Sequence, residues 1–168
     1  KFATGEPEYR RFFIDQSLTL YNSSYLDDTR NYKKVLKSRN LLLKNHEYEM
    51  LDIYDAQLVQ LGLIVEEKRK KAIFQFNEIF GKIYEDITGI EGLSISYHPS
   101  WKEHDDGNRK TLPTFDELIA QLKIQRNKDM EMETTISGPH RDRIDFVKDH
   151  HLFVPTASTG QCRLISLL

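Results

Sequence analysis

The chain has 168 residues, is 39% hydrophobic and 30% charged, and sets 24 Lys and Arg against 26 Asp and Glu for a formal net charge of −2. That length can bury one core, and the charged fraction suits an elongated, helical, surface-rich unit rather than two domains. Overall charge excludes a strongly basic nucleic-acid binder, the single Cys162 excludes an internal disulfide and fits a reducing cytoplasm, and no run approaches the ~18 apolar residues of a membrane span, so a soluble chain is expected.

The first half reads as helix. Pro7 flanked by Glu6 and Glu8 suits a first turn, and Phe12, Phe13, Leu18 and Leu20 supply the apolar positions of a short helix. Asn22-Ser23-Ser24 interrupts it, and Ser24 with Asp27 three residues on reads as a capping-box variant opening a second helix over 24–45. Tyr25, Thr29, Tyr32, Val35, Leu36, Leu42 and Leu43 share one face of that helix. A third helix is predicted over 48–88, with Leu51, Tyr54, Leu58, Leu61 and Val65 spaced by three and four, continued more loosely by Ala72, Phe76, Ile79, Ile83 and Ile87. The short link at 45–48 makes the pair an antiparallel helical hairpin.

The second half changes texture. Residues 93–97 alternate as a strand ended by Pro99, and 102–110 form a polar loop around Asp105-Asp106-Gly107-Asn108. A helix over 114–129 follows, with Thr114 and Glu117 as cap and box and Phe115, Leu118, Ile119, Leu122 and Ile124 as its apolar face. Short strands are predicted at 133–137, 143–147 and 151–154. Then Ser158-Thr159-Gly160-Gln161 opens a final helix: Ser158 is a natural N-cap, Gly160 permits close backbone approach, and the first N–H groups are open to an anion. The plain alternative is a helix cap and nothing more.

Four ordered segments carry a resemblance. "GEPEYRRFFID" (5–15), "YKKVLKSRNLLLK" (32–44), "LSISYHPSW" (93–101) and the pair "SGPHRDRIDF" (137–146) with "STGQCRLISLL" (158–168) resemble successive landmarks of the RecF family, in the SMC/Rad50 branch of ABC-type ATPases. Ser158, Gly160 and Gln161 match its signature loop, Ser-x-Gly-Gln, while Cys162 stands where the family more often has a second Gln. The resemblance implies an α+β, mainly α fold, lobe II of an ABC/SMC-type ATPase head, with 24–88 as a short coiled-coil-like arm and 89–168 as a region of small antiparallel sheet, helix and signature loop. It implies that 1–168 is a single lobe and that heads dimerise head to tail about ATP and Mg2+. Ser158, Thr159, Gly160 and Gln161 then cover the γ-phosphate in trans, with His140, Arg141 and Asp142 as a supporting motif. DNA with gaps or single-strand/double-strand junctions, RecR, RecO, the loading of RecA, the SOS response and a bacterial, nucleoid-associated cytoplasmic location are implied for the whole protein.

Neither a Gly-x-x-x-x-Gly-Lys-[Ser/Thr] loop nor an apolar strand ending in an acidic residue occurs, and the chain starts at Lys1 and stops within an apolar run. The expectation is therefore an interior piece of a weak ATPase, inactive alone. Two other readings stand beside it: a helical-hairpin protein-interaction module, and a head lobe of another SMC/Rad50-like protein, against which the short arm speaks.

Three further groups draw notice. Arg30, Lys33, Lys34, Lys37 and Lys44 fall within about 100° of helix circumference, with no acid between 31 and 46, a candidate DNA-binding stripe or else a solvated helix face. Arg39 projects into the apolar face, where an unpaired guanidinium is costly; a carboxylate partner is expected, with Asp15 as a candidate, the alternative being that Arg39 snorkels to the rim. His140-Arg141-Asp142 and His150-His151 lack the convergent spacing of a zinc site, so no metal is expected.

Overall fold

The structure, a computed structural model, describes residues 5–105 and 110–166, with the side chains of Asp105 and Lys110 left aside. The expected turn at Asp106-Gly107-Asn108 lies outside the described residues. The architecture is α+β and mainly α, and the chain falls into two compact units, one from Asn22–Lys68 and Pro99–Arg141, the other from Lys1–Tyr21, Arg69–His98 and Asp142–Leu168.

The first unit is helical. α1 (Pro7–Tyr21) belongs to the other unit; here α2 (Ser23–Asn45) lies antiparallel to the leading part of α3 (Leu51–Thr88). Arg39 meets Asp55 near one end of the pair and Lys68 reaches Asp28 near the other, which gives the antiparallel sense. α2 stops where His46 turns left-handed (φ 60°) and Glu47 N–H closes on Leu42 O at 2.9 Å. Its start differs from expectation: Asn22 is the N-cap residue, and no capping box forms at Ser24 and Asp27. Ser24 lies inside the first turn, where its hydroxyl donates to Asn22 Oδ1 and accepts from Lys68.

Tyr25, Tyr32, Leu43, Leu51, Leu58, Val59, Val65, Leu118 and Leu122 are buried with Trp101 in this unit. Gly62 faces the indole: a Cβ there would sit 2.4 Å from Trp101 Cη2. β2 (His104–Asp105) and β3 (Lys110–Thr111) form a two-residue antiparallel ladder, and α4 (Phe115–Glu131) follows. The predicted box is present: Thr114 Oγ1 accepts from Glu117 N and the Glu117 carboxylate accepts from Thr114 N. Phe115 and Ile124 are exposed, Ile124 lying about 200° around the helix from buried Leu122. The strand expected at 133–137 is absent. Glu133 is left-handed (φ 51°), and side chains take the backbone donors that a neighbouring strand would have used: Thr135 N goes to Asn40 Oδ1, Ile136 N to Asp129 Oδ1 and Gly138 N to Ser100 Oγ.

The second unit is mixed. β1 (Leu93–His98), β4 (Arg143–Lys148) and β5 (His151–Leu152) form an antiparallel sheet in the order β1-β4-β5, with Leu93 opposite Lys148 and His98 opposite Arg143. Asp149 and His150, both at positive φ (49° and 65°), make the two-residue hairpin between β4 and β5. Asn77 on α3 occupies the free edge of β1, accepting from Ile95 N and donating to Ile95 O, each at 2.8 Å. Ile14, Ile73, Phe80, Tyr84, Ile95, Ile144, Phe146, Phe153 and Ile165 form the core; Phe12 and Leu20, expected inward on α1, are exposed. β5 ends two residues earlier than predicted, because Val154–Thr156 coil into a 3-10 turn that leads to α5 (Thr159–Ile165). No described helix is long and apolar enough to cross a membrane.

Candidate functional site: the Ser158 turn and its support

α5 is anchored from behind. Cys162 and Ile165 are buried in the core, so the helix's first turn is left facing solvent, with Ser158, Thr159 and Gly160 exposed. Ser158 caps it in a reciprocal box: Ser158 Oγ accepts from Gln161 N at 3.2 Å, and Gln161 Oε1 accepts from Ser158 N at 2.6 Å. The box uses two of the four donors a helix start leaves open, so the N–H groups of Thr159 and Gly160 remain for an outside acceptor. Gly160 has no internal reason to be glycine: an added Cβ would meet only Ser158 Oγ, at 3.9 Å. The space in front of Gly160 is therefore open to close backbone approach from outside the turn.

His140, Arg141 and Asp142 do not converge. His140 Nδ1 pairs with Tyr32 OH at 2.7 Å and Nε2 with Thr135 O at 3.0 Å, Arg141 is exposed, and Asp142 is fully buried among partners of its own. His150 sits in the hairpin turn and His151 turns to Asp149 O. No cluster able to hold a metal ion occurs among the described residues. Arg30, Lys33, Lys34, Lys37 and Lys44 are all exposed along α2, with Arg30 3.8 Å from Asp27. Arg39 has no exposed surface: Nε binds Asp55 at 2.6 Å, and Nη1 lies 2.7 Å from Asp129 and 2.8 Å from Thr135 Oγ1. The expected carboxylate is there, but it is Asp55 with Asp129. Asp15 is committed elsewhere.

No protein-family model matches the chain. Curated relatives do: the DNA replication and repair protein RecF of Treponema pallidum is 37% identical over 167 residues, 99% of this chain and 45% of its own length. Those of Clostridium perfringens (40% over 145 residues, 84% and 38%) and Geotalea uraniireducens (31% over 160 residues, 95% and 43%) agree. In fold, solved structures of the recombination mediator protein RecF-ATP and RecF-ATPrS in the RecFOR pathway match with a TM-score of 0.85 at 23% identity, covering 99% of this chain and 45% of theirs. The chain belongs to the RecF family. It spans about half the length of the RecF relatives it matches.

Three of the RecF-like segments meet at a residue the sequence reading passed over. Arg69 grips Asp15 of 5–15 with a fork of 2.8 and 2.9 Å bonds and reaches Asp142 of 137–146 at 3.1 Å. Tyr97 of 93–101 donates to the same Asp142 carboxylate, and Arg11 donates to Asp142 O at 2.7 Å. Burial, then the neighbouring Arg69, pulls the Arg11 pKa below the usual arginine value. Arg69 sits in the run Lys68-Arg69-Lys70-Lys71, which reads as a solvated charge patch; only the inward phase of α3 distinguishes it. Asp145 is held likewise, by Arg10 at 2.8 Å and Arg143 at 2.7 Å.

Proposed function

We propose that this chain is the helical lobe of an ATP-dependent DNA-binding repair protein, and that Ser158, Thr159, Gly160 and Gln161 cover, in trans, an ATP held by a second copy. The observation that carries the reading is the Ser158 turn itself: an exposed helix start with two open N–H groups and a glycine that internal packing does not require. The RecF relatives and the fold shared with RecF-ATP support it. ATP with Mg2+, weak hydrolysis, gapped or junction DNA, RecR and RecO as partners, RecA loading and a nucleoid-associated cytoplasmic site are parts of the same reading.

The bound γ-phosphate supplies the negative charge that such a site recognises. Ser158 Oγ accepts from Gln161 N and so keeps its own proton to donate. Thr159 and Gly160 offer backbone donors beside it, and Gln161 holds the turn in shape through Ser158 N. These charge-assisted bonds make the interface depend on nucleotide state. His140, Arg141 and Asp142 remain a supporting motif in this reading, and of the three Asp142 lies buried in the turn's own unit.

A second reading, a partner-binding hairpin, draws on exposed apolar residues of α3: Ile53, Phe74, Ile79, Ile83 and Ile87. Of these Ile53 lies in the hairpin unit, where Leu26, Leu41 and Met50 are exposed as well, and the other four lie on the part of α3 that belongs to the other unit. Sedimentation of the full-length protein separates the two. Ser158→Arg is expected to abolish the ATP-dependent dimer while ATP binding persists; an unchanged dimer would leave the turn as a helix cap.

A further inference from the structure

We propose that the groove between α2 and α3 receives an unpaired base of a nucleic-acid strand whose phosphates follow the basic stripe; this rests on taking the exposed Arg30, Lys33, Lys34, Lys37 and Lys44 as the DNA-binding stripe rather than a solvated helix face. The groove measures about 430 Å³, within the range of ~300–1,000 Å³ typical of ligand clefts. Asn31, Lys34 and Ser38 line it from α2, and Tyr54, Gln57 and Gln60 from α3.

Charge selects an anionic occupant. Exposed Lys34 belongs to both groove and stripe, and α2 carries no carboxylate from 31 to 46. On the facing wall α3 has none from 56 to 65, and the adjacent Asp55 is buried and tied to Arg39 and Arg126. Any strand drawn along the lysines therefore passes the groove without repulsion.

Chemistry selects a base over a bare phosphate. Two glutamines, an asparagine and a serine offer paired donors and acceptors of the kind that read base edges, and half-buried Tyr54 adds an aromatic wall. A second cationic side chain would serve phosphate better, yet Lys34 is the only charged residue lining the groove. Paired bases present their edges inside a duplex groove, so the occupant is an unpaired nucleotide.

Fluorescence anisotropy of the full-length protein tests this, using a labelled single-stranded oligonucleotide and an abasic one of equal length and charge. Wild type is expected to prefer the base-bearing strand by about tenfold. Gln57→Ala with Gln60→Ala, and separately Tyr54→Ala, should close that gap and leave the slope of log affinity against log salt unchanged, because the phosphate contacts persist. Equal wild-type affinity for the two strands would overturn the groove proposal. Reversing Lys33, Lys37 and Lys44 to Glu should weaken both strands and flatten the salt slope; an unaltered slope would remove the stripe reading and the groove proposal with it.

Discussion

Arg39 and Asp55 lie side by side with almost no solvent contact, 2.6 Å apart, and Asp129 and Thr135 complete the cluster. Burying such charges is costly, and removing one partner strands the others. Arg39→Ala should therefore destabilise the fold by roughly 3–5 kcal/mol, measured by urea unfolding. A loss under 1 kcal/mol would mean that the aspartates find solvent or other partners. The need for a carboxylate partner was legible from Arg39's place on an apolar face. Which carboxylate was not, because Asp55 and Asp129 come from other helices and only their packing selects them over Asp15. At the exposed end of the scale, backbone and hydroxyl bonds from Thr114, with a further bond to His104, hold the Glu117 carboxyl at about 2. Its cap is therefore fully formed above the ordinary glutamate range near 4.5 and is lost as pH falls toward 2. Side-chain NMR titration should place Glu117 near the lower value; titration in the ordinary range would show the box open in solution.

The capping box at Thr114 and the N-cap at Ser158 were readable because their atoms lie within four consecutive residues, although the same local pattern at Ser24 and Asp27 closes no box. Elements whose donors are satisfied at a distance were not. The stretch at 133–137 has strand-like composition, but Asn40, Asp129 and Ser100 claim its N–H groups, and no local pattern announces that. Inside α3, Gly62 looks like a weak point in a helix, although its role is contact with Trp101. Gly62→Ala gains about 1 kcal/mol of helix preference. It also forces a methyl into a buried ring, and overpacking of that kind costs typically ~1–3 kcal/mol. The balance predicts a net loss in urea unfolding with a shift in the emission of the single tryptophan. A stabilised variant with unchanged emission would show that Trp101 yields freely.

For the whole molecule, the RecF-like segments explain what this chain holds in place. Asp15, Tyr97 and Asp142 close around Arg69, and the same unit carries the Ser158 turn on a helix anchored by Cys162 and Ile165. The turn was legible because its motif is contiguous, whereas the Arg69 cluster draws on segments far apart in sequence and is visible only once folded. If the turn acts across a dimer, a defect in it spoils the partner's site and leaves its own subunit's nucleotide loop intact. Mixing two inactive full-length proteins tests that most directly: Ser158→Arg, and a variant with the phosphate-loop lysine replaced. ATP hydrolysis is expected to return in the mixture, since one of the two interfaces joins an intact phosphate loop to an intact Ser158 turn. Mixed dimers that stay as inactive as either parent would contradict it.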